Sequence, residues 1–271
     1  MLRIATWNLS HAVKHDRSRR AAGWRHLREF VAPDVALVQE GGIPFEGAQG
    51  SVAAATDRDW TTSVVSYGPL IEPFIGPVHP SWNAELAFPI PDIAVRGTLA
   101  VARVASPIGS LIAISLYGQL RYADQSVLRA VCDLIPLMDS PDRRLVILGG
   151  DLNIHTHSND PHERARARPI LELIEAIGLR NLVRGARDRL LLREGEQATR
   201  EPCPCDGSDC YHVRTHRHRG HRPGEMANND YLYASRALEE RMVALTVMNG
   251  DDDPAWPLSD HCPLVASFRV S

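Results

Sequence analysis

The chain has 271 residues, 44% of them hydrophobic and 23% charged, with a formal net charge of −3. That is enough apolar material to bury a full core in one large domain, and it excludes disordered and fibrous classes. The charge balance also excludes a polycation that would hold nucleic acid by net charge alone.

In chain order, Met1-Leu2-Arg3-Ile4-Ala5-Thr6-Trp7 reads at once as a strand. It lacks the charged start and apolar stretch of a secretion signal, so the expected location is cytoplasmic. Short apolar, β-branched runs bounded by turn residues predict strands over 4–8, 34–39, 99–104, 111–117, 145–148 and 265–270. One helix is predicted over 17–31, where Trp24, Leu27, Phe30 and Val31 fall at helical spacing. A second starts at Asp124, with Val127, Leu128, Val131, Leu134 and Ile135 on its apolar face. A third has Pro169 near its start, Leu171, Leu173, Ile174 and Ile177 inside, and Gly178 at its end. The longest apolar runs, 111–116 and 145–148, fall far short of the roughly 20 residues that cross a bilayer, so no membrane span is expected.

Strands interleaved with helices predict a mixed α and β architecture, with sheets covered on both faces. The whole chain, 1–271, reads as one domain whose single compositional break is a Cys/His/Arg-rich insertion at about 196–224. Five cysteines, an odd number without a secretion signal, argue against a disulfide framework. Cys203, Cys205, Cys210 and His212 nevertheless form a tight C-x-C-x4-C-x-H cluster. Three thiolates and an imidazole suit a structural Zn2+, and so aliphatic-poor a loop needs such a source of order; free thiols in a polar loop are the alternative.

Polar groups directly follow apolar strand-like runs at several places: Asn8, Glu40, then Asp151 and Asn153; Asp260-His261 precedes the last strand. Side chains at strand ends are held rigidly while facing a groove. Hard cations such as Mg2+ take oxygen ligands, and Glu40, Asp151 and Asp260 supply that chemistry. Gly149-Gly150, lacking Cβ atoms, would let a bulky phosphate approach the backbone.

Five motifs stand in order along residues 6 to 261: Thr6-Trp7-Asn8, Val38-Gln39-Glu40, Gly150-Asp151-Leu152-Asn153, Asn229-Asp230-Tyr231 and Ser259-Asp260-His261. This ordered set resembles the W-N, Q-E, G-D-x-N, x-D-Y and S-D-H motifs of the endonuclease/exonuclease/phosphatase superfamily, the DNase I-like phosphoesterases. The resemblance implies an α+β, four-layer αββα sandwich with a Mg2+ or Mn2+ site at one edge. It implies that Glu40 is the principal metal ligand, with Asn8 and Asp260 near the ion. Asp151, helped by Asn153, would orient or deprotonate the attacking water, and His261, paired with Asp230, would contact the scissile phosphate. Tyr117 takes the place of a phosphate-binding tyrosine, although Gly118-Gln119 follows it where the family often has Pro-Asn. Asn229 likewise stands where an apolar residue is usual.

Between 214 and 222 the chain carries four Arg and three His. Arg214, His216, Arg217 and His218 are therefore candidates for substrate-phosphate binding, against the plainer reading of a solvated charged loop. His155 and His157 could reach the same groove. The leading expectation is a metal-dependent phosphodiesterase acting on DNA or RNA. The rivals are a phosphatase or phosphodiesterase for a small or lipid-linked phosphate, of the inositol phosphate or sphingomyelinase kind, and a non-catalytic binder of phosphate ligands or nucleic acid.

Overall fold

The apolar runs of the sequence become strands buried on both faces. A computed structural model describes residues 1–10, 17–42, 47–54, 56, 59–75, 97–119, 123–156, 158, 160–195, 203, 205, 210–217 and 227–270. Among these, β1 (Leu2–Asn8) pairs in parallel with β2 (Val35–Gln39), aligning Asn8 with Gln39 at the strand ends. Alternate residues divide between two cores: Ile4, Val35 and Leu37 face the second sheet, while Ala5, Trp7, Ala36 and Val38 face a helix. That division is why these strands read as unbroken apolar runs.

The first sheet also holds β3 (Gly50–Ala53), β4 (Ser63–Ser66), β10 (Leu192–Glu194), β12 (Met242–Val247) and β13 (Leu264–Phe268), in the order β10-β12-β13-β1-β2-β4-β3. The second contains β5 (Leu70–Pro73), β6 (Leu99–Ser106), β7 (Gly109–Leu116), β8 (Val146–Asp151), β9 (Leu179–Asn181) and β11 (Asp230–Ser235), in the order β5-β6-β7-β8-β11-β9. Leu2, Leu37, Ala113, Ile147, Leu232 and Leu264 belong to the core between the sheets. Helix α1 (Arg17–His26) covers the first sheet through Trp24; α2 (Ala123–Met138) and α3 (Pro161–Ala176) cover the second. The expected four-layer sandwich is therefore present.

All six predicted strands form, and the described residues hold seven more that were not predicted. β3 and β5 have partly exposed faces, β9 and β10 are three residues long, and none of these four presents an apolar run. Phe30 is not on the inner face of the first helical stretch: it is 68% exposed and stacks on His26. Leu27–Val31 forms a π-helical turn closed by Ala32 N–H donating to the Leu27 carbonyl, which rotates Phe30 out of the apolar stripe. Leu128 and Ile135 are likewise exposed on α2. Pro169 lies in the middle of α3, not near its start, because the helix already begins at Pro161, capped by Asp160 accepting from His162 N–H. No helix among the described residues is long and apolar enough to cross a membrane.

The antiparallel pairing of β8 with β11 sets Asp151 opposite Asp230, and on the other side of β8 Gly150 allows a close approach to the end of β7. A Cβ on Gly150 would lie 1.7 Å from the Leu116 carbonyl oxygen, and one on Gly118 would lie 1.9 Å from that of Leu152. Gly150→Ala is therefore expected to cost about 3 kcal/mol or more, because backbone must move; urea unfolding measures this, and an unchanged midpoint would contradict the packing described.

Candidate active site

Four strand ends from two sheets meet at one point. Asn8 closes β1, Glu40 follows β2, Asp151 closes β8 and Asp230 opens β11; all four are buried. Asn8 Nδ2 donates to Asp151 Oδ2 at 2.8 Å and lies 3.3 Å from Glu40 Oε1, while Asn8 Oδ1 accepts from Ser10 N–H. Gln39, beside Glu40, crosses between the sheets: its Nε2 donates to Ser115 Oγ at 2.8 Å. Glu40 itself has φ +52°, a left-handed conformation that few non-glycine residues adopt and that turns its carboxylate out of strand register.

Asn153, also left-handed at φ +50°, folds back over Asp151. Its backbone N–H donates to Asp151 Oδ1 at 3.0 Å, and its Nδ2 reaches Asp151 Oδ2 at 3.1 Å and the Gly118 carbonyl at 2.8 Å. Opposite, His261 Nδ1 meets Asp230 Oδ2 at 2.8 Å while Nε2 stands 3.7 Å from Asp151 Oδ2. The other oxygen of Asp230, Oδ1, is buried without a hydrogen-bond partner among the described residues. Backbone ties hold His261 in place: Trp7 Nε1 donates to its carbonyl, and Ser259 Oγ accepts from its N–H while donating to the Asn8 carbonyl. Thr215 Oγ1 accepts from both Asn229 N–H and Asp230 N–H.

Burial would push the His261 imidazole down, but the carboxylates of Asp230 and Asp151 outweigh it and lift it to about 10. Burial raises Asp151 to about 7 even though His261 opposes the rise, and Asp230 and Glu40 push it further in the same direction. The site therefore sets an imidazolium against a carboxyl that exchanges its proton near neutrality.

No protein-family model and no curated protein sequence matches this chain. Solved structures do. An AP endonuclease from Archaeoglobus fulgidus superposes with a TM-score of 0.66 at 19% identity, covering 99% of each chain. D. rerio TDP2, solved with a single-strand DNA product, gives 0.64 at 13% identity over 99% of this chain and 98% of that one. An endonuclease/exonuclease/phosphatase protein from Beutenbergia cavernae gives 0.55 at 20% identity, over 98% of this chain and 70% of that one. The chain has the endonuclease/exonuclease/phosphatase fold.

Within this fold, the five motifs stand at neighbouring strand ends and adjoining loops. Trp7, Gln39, Ser259 and Tyr231, which sequence reasoning quoted without roles, are the holders of the charged residues; Tyr231 Oη donates to the Ile154 carbonyl behind Asp151. Thr215 gave no signal in the sequence. Asp260 lies with His216 and His261, one ligand atom from each falling within 4.8 Å of the others. Tyr117 is buried, packs edge-on against Trp60 and precedes Gly118, whose N–H donates to the Asp151 carbonyl.

Three expectations change. Gly149 and Gly150 do not face a phosphate: a Cβ on Gly149 would meet Leu232 and Leu37 at 2.8 Å, so both glycines serve packing within the protein. Arg214 is engaged inside the protein, its buried Nη2 lying 2.5 Å from Asp251 Oδ1. Arg217 pairs with the same oxygen and lies 4.1 Å over the Trp256 ring. His216 does reach the site, its ring centroid 4.4 Å from that of His261. His157 and His218 lie outside the described residues.

The cysteine cluster assembles as a separate group. Cys203, Cys205, Cys210 and His212 bring their ligand atoms within 4.8 Å of one another. Burial pushes the Cys203 thiol up to about 12 and His212 down to about 4, Arg187 and Arg184 adding to the latter.

Removing the shared anion tests the reassignment of the arginines. Asp251→Ala is expected to destabilise the fold by about 3 kcal/mol, since it leaves the buried Arg214 guanidinium without its counter-charge. Chemical denaturation reads this directly, and a change within about 0.5 kcal/mol would return Arg214 and Arg217 to solvent or ligand.

Proposed function

We propose that this chain is a divalent-metal-dependent phosphodiester hydrolase, a nuclease that cleaves at a short or single-stranded stretch of nucleic acid. The observation that carries the reading is the convergence on Asp151: Asn8 and Asn153 hold its carboxylate while His261, charged and anchored by Asp230, faces it from 3.7 Å. That geometry matches in-line attack of water on a phosphoester, where catalysis rests on positioning and on neutralising oxygen charge.

Glu40, Asp151 and Asp230 place three carboxylates in one buried site opposed by a single imidazolium, and the repulsion from Asp230 and Glu40 is part of what raises Asp151. Oxygen donors with excess negative charge fit Mg2+ or Mn2+. Glu40 would be the principal donor, with Asn8 holding its carboxylate through Nδ2 and Asp260 contributing from the loop that carries His261. An ion held there would supply positive charge to the phosphate oxygens and the leaving group. Asp151 takes the proton of the attacking water, and Asn153 orients the carboxylate for it. His261 Nε2–H offers its charge to a non-bridging oxygen, and His216 stands beside it for an adjacent phosphate. Tyr117, ahead of the Gly118 turn, is a further candidate for phosphate contact.

A DNA or RNA substrate is supported by the similarity to proteins described as an AP endonuclease and as a TDP2 bound to single-strand DNA product. The net charge of −3 and the engagement of Arg214 and Arg217 by Asp251 favour a short strand over long duplex, whose binding rests on many free cations.

A panel of single-stranded DNA, duplex DNA, RNA and small phosphate esters, each with Mg2+, Mn2+ or EDTA, tests the assignment. Turnover is expected on the nucleic acids, abolished by EDTA, and reduced about 10³-fold in both Asp151→Asn and His261→Ala. Preference for a small phosphate ester would move the substrate class; wild-type rates for Asp151→Asn would sink the mechanism. A separate signature is the pH profile. The rate should rise as pH climbs through about 7, where Asp151 loses its proton and becomes a base, and fall approaching about 10, where His261 loses its charge.

A further inference from the structure

We propose that Cys203, Cys205, Cys210 and His212 bind one structural Zn2+, and that this ion clamps the segment carrying Thr215 and His216 to the loop that follows Asp151. The proposal is independent of the hydrolytic site, and its ligands are soft where that site offers only oxygen and imidazole.

The spacing of the ligand atoms fits a tetrahedral ion. Cys203 Sγ and Cys210 Sγ stand 3.3 Å and 3.5 Å from His212 Nδ1, and the ligand atoms of all four residues lie within 4.8 Å of one another. With Zn–S near 2.3 Å and Zn–N near 2.0–2.1 Å, a tetrahedral ion separates sulfur from nitrogen by about 3.5 Å. None of the three thiols is in a disulfide. The other ring nitrogen, His212 Nε2, lies 2.7 Å from Thr156 Oγ1. A hydroxyl accepting there holds the proton on Nε2 and leaves the Nδ1 lone pair facing the sulfurs, the outer contact that metal-bound histidines ordinarily have. Four protein ligands leave no open position, which marks a structural ion.

Local order needs such a device. Val213 is the only aliphatic residue from 203 to 217. The cluster is docked on α4 (Leu182–Asp188), where Arg187 Nη1 donates to the Cys210 carbonyl and Arg184 lies 4.4 Å over the Tyr211 ring. From His212 the chain runs directly to Thr215, which holds the N–H groups of Asn229 and Asp230, and to His216 beside His261. Thr156 belongs to the loop that leaves Asp151. By fixing His212, the ion would support the Thr156 contact that links the two chain segments flanking the Asp151–Asp230 pair.

Metal analysis of the full chain, purified under reducing conditions and desalted into metal-free buffer, is expected to give one zinc per chain, released by a mercurial thiol reagent. Replacement with Co2+ should give the thiolate-to-cobalt charge-transfer bands of a tetrahedral sulfur-rich site. His212→Cys should retain zinc as a four-thiolate site, and Thr156→Val should weaken zinc binding about tenfold while leaving its stoichiometry at saturation. Substoichiometric zinc in the wild type, cobalt spectra without thiolate bands, or a Cys203–Cys210 disulfide in the reduced preparation would overturn the proposal. Because these readouts use no turnover, their failure leaves the hydrolase reading untouched, and loss of turnover leaves them intact.

Discussion

A single hydrogen bond, from Asn8 Nδ2 to Asp151 Oδ2, joins the end of a strand in one sheet to the end of a strand in the other. Everything chemical in the molecule depends on the two sheets stacking so that this bond closes. It connects residues 143 positions apart, and Gln39 to Ser115 makes a second crossing next to it. Buried polar groups are costly unless paired, so these inter-sheet bonds admit one register of the sandwich and penalise others. The carboxylates of Glu40, Asp151 and Asp230 are then held at fixed places by strands that could not otherwise carry charge into the interior.

Charge is the second consequence. Asp151, buried beside other carboxylates, resists ionisation, and the protein answers with His261, whose charged form Asp230 and Asp151 stabilise. Stability and function are opposed here: the groups whose repulsion weakens the fold are the groups proposed to do the chemistry. Compensation comes from neutral neighbours. Trp7, Ser259, Thr215 and Tyr231 satisfy the backbone around the site without adding charge.

The Cys/His/Arg-rich stretch divides along its length into groups with different tasks. Its cysteines and His212 gather on α4. Arg214 and Arg217 both pair with Asp251, and Arg217 lies over the indole of Trp256. Between them, Thr215 and His216 face the reactive residues. One short run thus braces the fold with its arginines and presents an imidazole to the site.

Much of this was legible in the amino-acid order. Apolar runs with turn residues at their ends located six strands, and the polar residues flanking those runs singled out Asn8, Glu40, Asp151, Asn153 and His261, because a strand's length and its terminal side chains are local properties. Composition likewise marked the cysteine cluster. Weak edge strands such as β3 and β5 left no mark, since half-exposed strands need no apolar run. Phe30 and Pro169 were misplaced because a π-helical turn and an upstream Asp160 cap altered helix phase and start. Which partner each charged group meets was decided only by the tertiary structure. Arg214 and His216 look alike as candidates on paper, yet one is neutralised inside the protein and the other stands against His261. Gly150 shows the same limit: its lack of a Cβ was plain, but only the folded chain shows that the space belongs to the Leu116 carbonyl and not to a ligand. The sequence by itself determined which groups could do chemistry and at which strand ends they would stand; sheet stacking determined which of them meet, because electrostatic and hydrogen-bond energies depend on distances that chain order does not contain.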